Sequence, residues 1–289
     1  MRHNISRLRH FYLLFVLVFS YVCAQAQELL HVRFAPEKDY GPFIYQDESG
    51  QIKGLSWDIL QEIAPAARLQ IETQAPASLA YILEQAKLGK VELISSLRPT
   101  PERALYLGFT QPYVAIPAVL IRRLDSPTAT LQTLTGARVA VGKGYAVEHF
   151  VREKYPGINW VLVADDREAL LLMAQNKVAA MVADIASTIF IARREQYQNW
   201  RVEQNIGFEY QLSFAYPKTQ TELGRRLELA LSRLPVQRRE AILARWLDTK
   251  SIENAAPART WLQWGALLAL LIAALIGGWE WQRQRGRHG

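Results

Sequence analysis

The sequence is short of the groups from which most enzymes build their chemistry. It carries one cysteine, Cys23, and five histidines with no paired spacing among 289 residues. A lone thiol excludes a disulfide framework within the chain and a cysteine-rich metal site. No HExxH pair, Walker loop or nucleophile elbow occurs, and Gly142-Lys143-Gly144 is too short a run to mean phosphate binding. No metal or cofactor is therefore expected. The body of the chain also lacks a basic cluster. Of the formal net charge of +7, three arginines fall in residues 1–26 and Arg283, Arg285 and Arg287 in the tail. What remains is ordinary for a soluble domain, so the high isoelectric point does not point to nucleic acid.

Long apolar runs are missing too, except one at each end. Arg2, Arg7 and Arg9 precede the apolar stretch Phe11 to Val22, and Ala24-Gln25-Ala26 offers a small-x-small cleavage site. This reads as a signal peptide over residues 1–26, with Ser20-Tyr21-Val22 a poor lipobox before Cys23. Cleavage there leaves no cysteine. Leu262 to Gly278 is apolar, flanked by Trp261, Trp264, Trp279 and Trp281 and followed by the three arginines. It reads as a transmembrane helix (261–279) with a cytoplasmic tail (280–289), reached through a polar linker (250–260). The expected location is the inner membrane, single-pass, with the folded part in the periplasm.

Between these ends one stretch organises the chain, VELISSLRPTPERALYLGFTQPYVAIPAVLIR from Val91 to Arg122. Val91 to Ile94 reads as a strand ending at Ser95-Ser96. Thr100, Pro101 and Glu102 suit a helix start, and Val114 to Ile121 resumes as a strand. A strand end, a hydroxyl pair, a helix N-terminus and Arg103 together make a plausible carboxylate site. An arginine in a helix's first turn is equally a solvated surface residue. The unit then echoes: Leu79 to Leu88 and Ala169 to Gln175 read as helices closed by Gly89 and Asn176, each followed by a strand. Two such units predict two similar α/β lobes, their polar strand ends facing one crevice.

TPER followed by FTQPY, together with Tyr40-Gly41-Pro42-Phe43 and the Gly54 to Leu60 helix opening, resembles the family 3 extracellular solute-binding proteins, in the form used as receptor sensory domains. The resemblance runs from about Glu28 to Leu247. It implies a bilobed, type II clamshell fold of the periplasmic-binding-protein kind with two hinge crossings: lobe 1 over 27–118 and 212–249, lobe 2 over 119–211. It implies that Arg103 grips a ligand carboxylate, that Asp184 meets an α-ammonium from the second lobe, and that Tyr40 walls the pocket. Glu37 sits where relatives carry a polar contact, and Ser96 in the hydroxyl pair. In the GKGYA turn, Tyr145 and Ala146 stand after Gly144 in place of a threonine pair, which leaves backbone N–H groups of Gly144 and Tyr145 for the carboxylate. Arg98 stands where a hydroxyl is usual, which suits a second acidic group or a surface side chain. Asp184 by itself is equally a helix cap.

The reading is a membrane-tethered binding protein, not an enzyme, that closes around an amino acid or other small carboxylate. It is either the input part of a kinase or cyclase receptor or a tethered binder serving a transporter permease. A periplasmic dehydratase is a third reading, for which only Asp184, Glu37 and Glu148 could act as acid or base.

Overall fold

The computed structural model describes residues 28–247. The expected signal peptide, and the linker, membrane helix and tail after residue 249, lie outside the described residues. Among the described residues no helix is long and apolar enough to cross a membrane.

Lobe 1 begins with β1 (Leu30–Phe34), whose Val32 and Phe34 point into the core. Three short strands follow, β2 (Asp39–Tyr40), β3 (Ile44–Gln46) and β4 (Ile52–Lys53). Helix α1 (Leu55–Ala67) buries Leu55, Ile59, Leu60 and Ile63 on one face, the spacing of an amphipathic helix. It returns the chain to β5 (Leu69–Thr73), parallel to β1. Helix α2 (Leu79–Lys87) is capped by Ser78 and closed by Gly89 at φ +69°, as the sequence implies. Next come β6 (Ile94–Leu97), a 3₁₀ turn at Arg103–Leu105, and β7 (Leu107–Phe109).

Two local expectations change. The strand read at Val91 to Ile94 runs through the serine pair, because Ile94 and Leu97 pair with the long return strand while Leu93 bridges to Phe34. The helix read from Thr100 is a single 3₁₀ turn. Thr100 does accept a hydrogen bond from the Arg103 N–H at 3.2 Å, but β7 must extend at once to pair with the same return strand.

Lobe 2 holds β8 (Val114–Arg122), β9 (Arg138–Gly142), α3 (Ala146–Lys154), β10 (Asn159–Val163), α4 (Asp166–Ala174), β11 (Ala180–Asp184) and α5 (Ile185–Arg194). Its sheet order is β10-β9-β11-β8, with β9, β10 and β11 parallel and β8 antiparallel to them. Strand β12 (Arg201–Pro217) lies beside β8 and continues into lobe 1 against β6 and β7. Leu212 to Tyr216, where the chain re-enters lobe 1, is its last third. The two crossings are β8 and β12, and their register breaks between Asn205 and Glu209, opposite Pro117 to Val119. Proline has no N–H for the ladder, and Gly207 (φ +75°) carries the bulge. Helices α6 (Thr221–Arg233) and α7 (Val236–Trp246) pack back onto α1. Trp246 donates its indole N–H to Asp58 at 2.8 Å.

The α1 start depends on a backbone that only glycine adopts easily: Gly54 has φ 128° and ψ 169°. A side chain there would also run into the Phe43 carbonyl. Gly54→Ala is expected to lower stability by at least about 2 kcal/mol, read from the urea unfolding midpoint. A midpoint equal to wild type would show that this turn relaxes freely.

Candidate ligand site between the lobes

The parallel strands of each lobe end at one seam, and the residues that seam buries are polar. From lobe 1 come Glu37, Tyr40, Ser96, Arg98 and Arg103; from lobe 2 come Tyr145 and Ala146, at the end of the turn that begins at Gly142. With Leu79, Leu97, Tyr210 and Leu212 they line a cavity of only about 20 Å³, room for roughly one water. Asp184 lies beside it, within electrostatic reach of the lining residues Tyr40 and Tyr210.

Arg103 is 5% exposed. Its guanidinium donates to the Arg98 carbonyl at 2.7 Å and, across the seam, to the Gly144 carbonyl at 2.7 Å. Burial lowers its pKa, though not enough to threaten the charge of a guanidinium. Tyr145 crosses in the opposite sense. Its hydroxyl donates to Glu37 Oε1 at 3.0 Å and its ring tilts against Tyr40, with centroids 5.8 Å apart. Further out, Arg194 pairs with both oxygens of Asp39 at 2.8 and 2.9 Å, and Phe190 packs on Tyr45. The lobes are therefore in direct contact through their own side chains. A wider open groove at the seam's mouth is walled by Asp39, Tyr45, Phe190, Arg194 and Trp246. It is farther from the buried charges, and its Asp39–Arg194 and Arg167–Glu195 pairs already satisfy one another.

Three carboxyl groups, Glu37, Asp166 and Asp184, are buried here beside the buried guanidinium of Arg103. Burial raises Glu37 to about 8 and Asp184 to about 7; each is partly relieved, by Tyr145 and by the Ser187 N–H respectively. Asp166 is raised by burial and then by the neighbouring Asp184. Asp184 caps α5: Oδ1 accepts from the Ser187 N–H at 2.7 Å. The Tyr40 hydroxyl is close enough to hold its pKa down without closing a normal hydrogen bond, so Oδ2 is unpartnered. Ser187 also donates its hydroxyl to Asp166 Oδ2 at 2.7 Å, leaving Asp166 Oδ1 unpartnered.

Several expectations about individual residues need correction. The backbone N–H of Gly144 is not free for a carboxylate: it donates to Glu148 Oε2 at 2.7 Å, and that of Tyr145 turns back to the Gly142 carbonyl. What Gly144 offers the seam is its carbonyl, and what Tyr145 offers is its side chain. Glu148, spent on Gly144 and Arg152, is not a cleft acid. Arg98 lines the cavity as a second cation, half-buried rather than a surface side chain that points away. Its guanidinium lies 3.8 Å over the Phe208 ring, on the bulge of β12. Ser96, at φ +57°, gives its hydroxyl to Ser56 at 2.8 Å, and its N–H donates to the Tyr113 hydroxyl. Ser56 is the second residue of α1, whose N-cap is Gly54. Asp166 and Tyr210 escaped the sequence reading. An acid pair at a helix start reads as a solvated cap, and Asp165 does cap α4 at 2.8 Å, while Asp166 behind it is buried.

The family model for bacterial extracellular solute-binding proteins, family 3, matches residues 32–249. The chain belongs to that family. This family 3 protein is 24% identical over 236 residues to the virulence sensor protein BvgS of Bordetella pertussis, which covers 81% of this chain and 19% of BvgS. It thus spans about a fifth of the sensor's length. It is 28% identical over 155 residues to the arginine-binding extracellular protein ArtP of Bacillus subtilis, 53% of this chain and 56% of ArtP. Its fold matches the crystal structure of a histidine kinase sensor domain with similarity to periplasmic binding proteins. The TM-score is 0.72 at 23% identity, covering 75% of this chain and 96% of the other.

The raised carboxyl groups set a sign for pH. A carboxyl whose pKa is higher in the packed seam than in water favours the packed form when protonated. Stability should be greatest below the ordinary carboxylate range and fall as pH rises through about 7 to 8. Glu37 alone carries a few kcal/mol of this on an order-of-magnitude basis. The thermal midpoint is expected to drop from pH 5 to pH 9, and Glu37→Gln should flatten the fall. A flat wild-type profile would remove the acids from the seam's energetics.

Proposed function

We propose that the protein is a periplasmic solute-binding domain tethered to the inner membrane, and that it senses a small zwitterion or carboxylate between its lobes. The observation that carries this is the placement of Arg103 and Asp184. They are buried, of opposite charge and in different lobes, at the seam where strands of both lobes end. A carboxylate can take the place of the Gly144 carbonyl on Arg103, and an ammonium can reach the unpartnered Oδ2 of Asp184. Similarity to a sensor protein over most of this chain supports the sensory role. Similarity to an arginine-binding protein supports an amino-acid ligand and keeps a second reading in play, a tethered binder serving a transporter. An enzymatic role is disfavoured, because Glu37 is bonded across the seam to Tyr145, Asp184 caps its own helix, and the relatives are binders and sensors.

A thermal-shift panel of amino acids and small carboxylates identifies the solute. With that solute, Arg103→Ala should weaken binding by about 2–5 kcal/mol, the cost of stripping a buried charge of its partner. Arg103→Lys should restore only part, since an ammonium lacks the bidentate fork. Calorimetry decides, and unchanged affinity in the alanine variant rules out the anchor.

The apolar run before Arg283, Arg285 and Arg287 supports the tether. A phosphatase that is active only outside the cytoplasm should be inactive when fused after Gly289. Strong activity there would reverse the topology.

A further inference from the structure

The groups best able to anchor a solute are already engaged by the protein itself. Arg103 holds the Gly144 carbonyl, Glu37 holds the Tyr145 hydroxyl, and the Tyr145 ring lies on Tyr40. Tyr145 is 6% exposed, although it belongs to a turn. The turn is built to place it there. A Cβ on Gly142 would lie 2.6 Å from the Tyr145 ring, so only glycine lets the ring fold back over the strand end. Gly144, at φ +78°, then aims its carbonyl at Arg103.

We propose that Tyr145 is an internal ligand: it holds the lobes together from within, and an external solute acts by displacing it. The inference rests on the solute-binding reading and deepens it. A cavity of about 20 Å³ cannot take an amino acid beside that ring. The solute therefore binds only the fraction of molecules in which Tyr145 has left, and its apparent affinity is reduced by that fraction. Contacts made only in that state shift the population toward it. Solute binding then loosens a seam that Tyr145 had drawn tight. The outer contacts, Arg194 with Asp39 and Phe190 with Tyr45, keep the lobes near each other meanwhile.

The test uses the full chain in lipid nanodiscs with Cys23→Ser and spin labels at Glu84→Cys in lobe 1 and Glu153→Cys in lobe 2. Electron–electron resonance then reads the interlobe distance. Without added solute, the Tyr145 protein should give one narrow distance. Tyr145→Ala should give a longer, broader one, and Tyr145→Phe, which keeps the ring but loses the Glu37 bond, should fall between. Circular dichroism checks that each variant is folded. By calorimetry with L-arginine, L-glutamine and L-glutamate as probes, Tyr145→Ala should bind at least one about tenfold or more tighter than the parent. A narrow distance unchanged in Tyr145→Ala overturns the proposal, as does a broad parent distance that contracts on adding a probe. If no probe binds any variant, the amino-acid reading above fails, while the distance comparison still judges Tyr145.

Discussion

A guanidinium cannot shed its proton inside a protein, so Arg103, once buried, must be given acceptors. It finds two carbonyls, one from each lobe. That requirement orders much of the seam. It draws the Gly144 turn against lobe 1, and with the turn comes Tyr145. The acids around it can respond differently, because a carboxyl group that is costly to bury charged can hold a proton instead. A buried cation and three adjustable acids, Glu37, Asp166 and Asp184, therefore lie at one seam. The unpartnered oxygens of Asp184, Asp166 and Tyr210 mark where this arrangement is least satisfied.

The seam is joined to the hinge by a short path. Arg98 stacks on Phe208, which sits in the bulge of β12 and touches Phe150 of lobe 2 and Tyr210. The bulge exists because β8 offers a proline to its neighbour, so the ladder that carries both crossings is interrupted where the lobes must bend. A second path leads outward. Phe190 of lobe 2 touches Tyr45, whose ring stands 6.2 Å from that of Trp246 at the end of α7. Trp246 is in turn bonded to Asp58 on α1. The last described helix thus rests on lobe 1 and feels the edge of lobe 2.

Lobe architecture was largely legible in the sequence because its causes are local. The helix over Leu79 to Lys87 and the left-handed closures at Gly89 and Asn176 follow from residue spacing and backbone preference. The motif around Arg103 was legible as well, since a strand end, a capping threonine and an arginine lie within ten residues. The 17-residue length of β12 was not legible, because its first half is polar and half-buried and its pairing partner lies some eighty residues away.

The sequence by itself determined which residue types reach the seam: an arginine from one lobe, an aspartate from the other, and tyrosines from both. Only the tertiary structure decided what they do there. Whether Asp166 is solvated or buried, whether Arg98 faces solute or Phe208, and whether Tyr145 offers its N–H or its side chain depend on the approach of two lobes distant in sequence. Burial sets the charge of Glu37 and Asp184, and burial is a property of that approach rather than of any local pattern.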